Sequence, residues 1–493
     1  MGPLAQTRIE AASIWWVRRD LRLQDNRTLL AALDHARSNS GRVAAVFVLD
    51  TNILSGLARD DRRMSIIAEG LSELDRGLRE RGGGLHLVAG PAEAMIPEFA
   101  RTCGFPPVFA GGDFEPYGLQ RDRTVGALLE RNGSFLEIHH DHMVVAPATV
   151  RKGDGTPYRV FTPFHRAWLA LLEGERESLQ ATRSVPVTSE IAPGPIELTT
   201  EGVLERAGFQ DPARKGPLGG RMAAQQRLGR FLSSMSGYGE TRDRPGIEGT
   251  SRIAMDLRFG FLSAREAAKT AMEEGSPGAG KWLSELCWRD FYQEVLRLHP
   301  RTVDHPFQER LAGVVWDDPD SDPIAAARWH AWIEGRTGYP FVDAAMRELS
   351  ATGWMHNRAR MVVASFLTKD LHIHWKRGER WFARHLLDIE LASNVGGWQW
   401  SAGTGTDAQP WFRVFHPVEQ SKRWDPSGDW IRRWCPEIEA LPDRWIHEPW
   451  KAPAAVLASV GVRLGQEWPQ PVVDHAAERK ESLERFGRLA GGA

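Results

Sequence analysis

Cysteine is scarce. Three occur in 493 residues, Cys103, Cys287 and Cys435, far apart and with no CxxC pair. That usage argues against a zinc site, a four-cysteine iron–sulfur cluster or a disulfide framework, and it fits a reducing, cytoplasmic setting. No apolar run reaches the length of a membrane span and no signal-peptide pattern is visible, so no membrane partner is expected. Charge of one sign is missing too: 62 Lys and Arg against 64 Asp and Glu leave a net charge of −2. No global basic field announces nucleic acid, though a local basic patch is compatible with that balance. No internal repeat or low-complexity segment is evident. What is abundant is tryptophan: twenty residues, most of them after residue 280. Many must simply build an aromatic core.

The length predicts two domains, or one large domain with a satellite. Residues 13–17, 42–50, 85–90, 107–113 and 134–140 read as strands. Helical patterns near 26–37, 60–81, 92–102 and 117–131 separate them. That alternation predicts a parallel, doubly wound α/β domain over 1–144. No GxGxxG follows its first strand, so a dinucleotide fingerprint is absent. His139, His140, Asp141 and His142 look metal-like, but neighbours on a strand point to opposite faces, so no metal is expected. Residues 145–221 lose the pattern, apart from an ordered patch at 156–168, and read as an interdomain connector. From 222 to 493 helical periodicity dominates, at 222–236, 263–274, 280–297, 323–333, 340–351, 354–370 and 377–391. The second domain should be nearly all α.

Four stretches of the helical region carry chemistry. Residues 388–413, DIELASNVGGWQWSAGTGTDAQPWFR, combine acidic residues, an amide, two close-approach glycines (Gly396, Gly397) and several aromatic rings. That mixture suits a flat ligand. GTSRIAMDLRFG (249–260) places two hydroxyls and an arginine at what reads as a helix start, where backbone N–H groups suit a phosphate. WLSELCWRDFY (282–292) puts Trp282, Glu285 and Arg289 on one helical face, and GWMHNRARMVV (353–363) does the same for Trp354, Asn357, Arg358 and Met361. Each stretch alone has an ordinary alternative: a helix cap, an amphipathic helix, or a core helix with a charged edge.

Taken with RRDLRLQDN (18–26) and TGYPFVDAAMRELSATGWMHNRARMVVASFL (337–367), these motifs resemble the photolyase/cryptochrome family, and more specifically class I cyclobutane pyrimidine dimer photolyases. The resemblance runs from about residue 13 to 480. It implies an α/β antenna domain joined to a helical domain that binds FAD. Tyr238, Thr250, Ser251, Arg252 and Ile253 would hold the FAD phosphates and ribose. Trp282, Glu285 and Arg289 would line its pocket. Asn357, Arg360, Asp388, Glu390 and Asn394 would complete it, with Arg360 paired to Asp388 and Asn394 facing the reactive flavin nitrogen. Glu285, Trp288, Asn357, Met361 and Trp400 would contact the dimer, and Arg242, Arg358 and Arg413 the DNA phosphates. Trp398, Trp375 and Trp316 would relay electrons from flavin to surface.

The implied reaction is light-driven repair of cyclobutane dimers in DNA by a monomer. Excited reduced FAD lends an electron to a lesion flipped out of the helix. Glu285 is expected to hold a proton and donate it in a hydrogen bond to the thymine carbonyl. Two rivals are a cryptochrome-type photoreceptor and a (6-4) photolyase. Against the first, the dimer-pocket residues are all present and no long tail follows the recognisable domain. The second carries histidine where this chain has Asn357 and Met361. An antenna chromophore could be a deazaflavin, a folate or a second flavin, and EPYGLQRDR (115–123) leans toward the deazaflavin binders. The chain departs from the family pattern at Ala254, Glu390, Val395, Gln409, Trp411 and His416, which bears on fine flavin and DNA contacts.

Overall fold

A computed structural model describes residues 8–174, 190–210 and 216–490. The part of the expected connector at 175–189 and 211–215 lies outside the described residues. The chain packs as two compact units: residues up to Ser236 together with Ser251–Arg297, and Gly237–Thr250 together with Leu298 onward.

The first unit is built on five parallel strands, β1 (Ser13–Val17), β2 (Val43–Asp50), β3 (Leu85–Gly90), β4 (Val108–Gly111) and β5 (Leu136–His139), in the order β3-β2-β1-β4-β5. β1 reads SIWWV and is buried along its whole length. A strand covered on both faces needs such an unbroken apolar run. Trp15 sits beside Ala45 on one side and Phe109 on the other. Helices Arg27–Ser38, Arg62–Arg79, Ala92–Thr102 and Pro116–Glu130 make the crossovers. Asn26 and Asp61 cap the first two through their side chains, each satisfying an otherwise orphaned N–H.

The strand order reverses between β1 and β4, the place where open α/β sheets keep a crevice. Arg18, directly after β1, spans it: one nitrogen donates to the Gly111 carbonyl at 2.9 Å and two grip Asp122 at 2.8 and 2.9 Å. Its guanidinium lies 3.6 Å above the Trp16 ring.

The helical stretch 251–297 packs with this α/β part. Gly260 adopts φ +72°, and a Cβ there would meet the Arg19 carbonyl oxygen at 2.0 Å, so only glycine lets the two segments touch. Asp141 binds both Arg22 and Arg265, and Arg265 also meets Asp25 at 3.0 Å. Buried charges persist only when paired in this way. Helix Phe161–Gly174, which takes in the second part of the ordered patch read at 156–168, buries Phe164, Trp168 and Leu172.

The second unit is helical among its described residues. Its core gathers Trp332, Trp375, Trp398, Trp430 and Trp468. Two helix limits differ from the sequence reading. The helix expected over 354–370 begins at Asn357, because His356 turns its ring back to cap it, Nδ1 accepting from the Arg358 N–H at 3.1 Å. Trp354 is therefore not on the helical face of Asn357 and Met361. After Ser365 the helix widens into one π turn over Phe366–Asp370. The helix expected to reach 391 stops at His385, and a new one runs Leu391–Ala402. The break at 386–390 frees Asp388 to point sideways at another helix.

Candidate functional site

The residues assigned by resemblance divide between the units. In the first, Ser251, Arg252 and Ile253 precede the short helix Ala254–Phe259. The ordinary alternative, a hydroxyl cap, does not form: Ile253 occupies the cap position and makes no side-chain hydrogen bond there. Ser251 Oγ instead accepts from Trp282 Nε1 at 3.2 Å. Arg252 sits at φ +53°, a left-handed conformation that costs a non-glycine residue on the order of 1–2 kcal/mol. Strain of this kind gathers where a ligand is gripped.

Trp282, Glu285, Trp288 and Arg289 lie on helix Pro277–Leu298. Its start needs Gly278, where a Cβ would meet the Met235 and Ser236 carbonyl oxygens at 2.2 Å. Asp290 anchors the middle, accepting from the Val144 and Val145 N–H groups and from Trp168 Nε1 at 2.9–3.2 Å. Burial pushes the Asp290 carboxyl up to about 6 against those donors. Arg289 donates to the His142 carbonyl. Glu285 is half-buried. Trp288 lies flat on Phe161, ring centroids 3.6 Å apart, so one indole face is covered by the protein itself.

In the second unit, Tyr238 is buried and Arg242 stands 5.5 Å above its ring. Thr250 follows Gly249, whose carbonyl accepts from Thr241 Oγ1 at 3.3 Å. Helix Asn357–Ser365 presents Asn357 Nδ2 to Met361 Sδ at 3.9 Å. Arg358 pairs with Asp243 at 2.7 Å and lies over Trp424. Arg360 Nη2 donates to both carboxylate oxygens of Asp388, at 2.8 and 3.1 Å, and Arg360 Nε donates to the Met355 carbonyl. Glu390 precedes helix Leu391–Ala402, and its carbonyl accepts from the Asn394 N–H. Trp400 is half-buried with Phe415 beside it, and Arg413 is exposed. Trp398 and Trp375 are core residues, whereas Trp316 is partly buried against that core.

Glu379 was not singled out by sequence reasoning. It holds Asn394, whose Nδ2 donates to the Glu379 carbonyl and to Oε1 at 3.0 and 2.8 Å. Lys376 in turn grips Glu379 at 3.0 Å. The Asn394 amide is thereby fixed, with Nδ2 satisfied and Oδ1 left as the acceptor. Fifteen residues separate the pair, so no local spacing signals it. Asp290 was also missed, although it stands inside the quoted WRDFY.

Gly397 lies one turn after Asn394 on the same helix face, and a Cβ there would meet no atom within 4 Å. An open helix face beside a fixed amide acceptor fits a flat heterocycle. Hydroxyls and guanidinium groups around Thr250–Arg252 fit a phosphate-bearing tail. Among the described residues no cluster of His, Cys, Asp and Glu could hold a metal ion, and no helix is long and apolar enough to cross a membrane.

Comparison with known proteins agrees with this chemistry. Residues 13–186 match the DNA photolyase family model, and residues 282–488 match that of the FAD binding domain of DNA photolyase. The chain is 38% identical over 486 residues to the deoxyribodipyrimidine photo-lyase of Escherichia coli K12, covering 96% of this chain and 97% of that protein. The crystal structure of a class III photolyase from Agrobacterium tumefaciens superposes with a TM-score of 0.86 at 32% identity, covering 99% of this chain and 100% of the other. A cryptochrome from Synechocystis superposes at 0.83 with 28% identity, covering 97% and 99%. The chain belongs to the DNA photolyase family. It is an FAD enzyme of the deoxyribodipyrimidine photo-lyase type, a carbon–carbon lyase that acts on DNA.

Proposed function

We propose that this protein repairs cyclobutane pyrimidine dimers, and not (6-4) lesions, through light-driven electron transfer from reduced FAD. Bound reduced FAD supplies the photo-excited electron. The chain's own residues bind, orient and shield the lesion. Trp288 and Trp400 offer apolar faces, Asn357 and Glu285 meet the polar edges, and a protonated Glu285 donates to the thymine carbonyl where negative charge develops. Asn394 presents a neutral acceptor to the flavin, which adds no charge as the flavin changes redox state. Arg242, Arg358 and Arg413 hold phosphates. The lesion is flipped out of the stack, as is general for photolyases, and a damaged base resists that least.

The observation that carries the choice of lesion is the Asn357–Met361 contact at 3.9 Å. A (6-4) lesion needs proton transfer to a shifted hydroxyl, hence a histidine. Neither an amide nor a thioether transfers protons. The neighbouring His356 is buried and caps the helix through Nδ1, which supports its exclusion from that role. A photoreceptor reading is separated by the same test, since it repairs neither lesion. Purified protein with reduced FAD and blue light should restore an oligonucleotide carrying a cyclobutane dimer and leave one with a (6-4) product unrepaired. Glu285→Ala should lower the repair yield per photon more than it lowers DNA binding. Efficient (6-4) repair, or an unchanged yield in Glu285→Ala, would overturn the assignment.

A further inference from the structure

Within the first unit, helix Phe161–Gly174 is moored to helix Pro277–Leu298 through Trp168, Phe164 and Phe161. Trp168 Nε1 donates to Asp290 at 2.9 Å, and Phe164 meets Phe291 with ring centroids 5.1 Å apart. Phe161 meets Trp288 at 3.6 Å, with the ring planes 6° apart. Positions 161, 164 and 168 share one helix face. Phe164 and Trp168 close a core, being 2% and 0% exposed. Phe161 and Trp288 do not: both are half-buried, at an end of the seam that solvent reaches. Direct overlap is not the geometry that ring quadrupoles prefer, since offset and edge-on pairs are better. The moored helix therefore imposes the overlap. Around the same indole, Phe291 stands edge-on at 5.7 Å and Tyr292 lies at 5.5 Å. His165, one turn along from Phe161, stacks on it at 5.4 Å.

We propose that Phe161 is the positioning residue for Trp288. It backs one indole face, holds the ring in a single orientation, and so sets how strongly the protein prefers dimer-containing DNA to undamaged DNA. The inference rests on the reading of Trp288 as a ring that covers the lesion. The apolar face of a dimer gains most from a ring already in place. An indole free to turn would be ordered only on binding, and that ordering subtracts from affinity. The backing ring removes the cost beforehand. Undamaged DNA keeps its bases stacked and does not reach Trp288. Its binding is driven by phosphate contacts and is indifferent to Phe161. The local sequence fits the task. Pro163 stands in the first turn, where its missing N–H is tolerated, so the helix can begin at Phe161 and present a ring from its first residue. The ordinary alternative is that Phe161 only fills the seam between the two helices.

A double-mutant cycle separates the two roles. The FAD-loaded full chain would carry Phe161→Leu, Phe161→Tyr, Trp288→Ala, or Phe161→Leu together with Trp288→Ala. Each is titrated in the dark, at fixed salt, with an oligonucleotide bearing one cyclobutane dimer and with its undamaged counterpart. Phe161→Leu should weaken dimer binding about three- to tenfold and leave binding of undamaged DNA within about twofold. Phe161→Tyr keeps the flat ring and should bind the dimer as wild type does. In the Trp288→Ala background Phe161→Leu should cost nothing further, because no ring remains to be held. FAD content and the urea midpoint check the fold. If Phe161→Leu loses its flavin, Phe161→Met is read in its place, and loss of flavin in both makes the ring structural and overturns the inference. An equal loss on both DNAs, an equal loss with and without Trp288, or no loss on the dimer would overturn it too, as would a Phe161→Tyr variant as weak as Phe161→Leu. Wild-type dimer binding by Trp288→Ala would instead sink the reading of Trp288 on which the inference rests.

Discussion

Two glycines on neighbouring helices should answer the same substitution in opposite ways. Gly378, on helix Trp375–His385, is buried against Trp398. A Cβ there would stand 2.1 Å from Trp398 Cη2, 2.4 Å from Cζ3 and 2.6 Å from Leu367 Cδ2. Trp398 and Leu367 are at most 2% exposed, so neither can step aside into water. Overpacking of a dense core costs about 1–3 kcal/mol, and alanine's helix preference over glycine returns about 1 kcal/mol. Gly378→Ala should therefore destabilise the FAD-free chain by up to about 2 kcal/mol and push Trp398 off its place. Gly397, on helix Leu391–Ala402, meets nothing within 4 Å. With no clash to offset it, Gly397→Ala should gain about 1 kcal/mol in the FAD-free chain.

Loaded protein reverses the second sign. If the open face at Gly397 is where the flavin lies, an added methyl obstructs it, and the stabilisation that ligand brings is reduced. At a concentration of 100 Kd that stabilisation is about 2.7 kcal/mol, more than the helix gain. Gly397→Ala should thus be the more stable protein when stripped and the less stable one at saturating FAD for wild type. Urea unfolding of stripped and loaded protein reads both signs from the midpoint at unchanged slope. An equal gain in both states would remove the flavin from that helix face. A stabilised Gly378→Ala would refute the packing argument for Trp398.

Arg413 is exposed and makes no ion pair among the described residues. Arg413→Ala should weaken binding to damaged and undamaged DNA alike and flatten the log K against log salt slope by about 0.9; an unchanged slope puts it outside the interface. The Asp290 carboxyl, raised to about 6 by burial, should make stability depend on pH. A folded-state value above the unfolded one means that its contribution is full below about pH 4 and is lost as pH rises through about 6. Relative to Asp290→Asn, wild type should lose about 3 kcal/mol over that interval, read from unfolding at pH 4, 6 and 8. A flat difference would show that the backbone and indole donors hold the carboxylate charged.

The sheet was legible because its evidence is local. VAAVFVLD and LHLVAG can be covered on both faces only as parallel strands, and they became β2 and β3 with limits shifted by at most a residue. Helix ends were harder to read where an unusual residue decides them. His356 and His374 both cap through Nδ1, a role that histidine's weak capping tendency does not advertise. The hydroxyls of Thr250 and Ser251 look like caps and are not: Ile253 takes the cap position, and Ser251 Oγ accepts from Trp282 Nε1 on a helix thirty residues away. The pairing of Arg360 with Asp388 was named from motifs, but its cause, the break at 386–390 that turns Asp388 out of a helix, was not.

The tryptophans show the same limit most sharply. Motif position picks out Trp398, Trp375 and Trp316, since it follows the chain and not the space around it. The ring that meets Trp398 belongs to Trp332, sixty-six residues earlier, on helix Pro323–Glu334, which ends at Gly335 in a left-handed turn. RWHAW spaces Trp329 and Trp332 three apart, which stacks their side chains on one helix face, and that spacing was visible in the sequence. What could not be read was the partner across the packing. The depth of the Gly378 notch decides that partner, because it lets the Trp398 ring lie against helix Trp375–His385 with Phe382 at its edge. A residue without a side chain thus sets which rings can lie against Trp398, and its effect appears only when the helices are placed together.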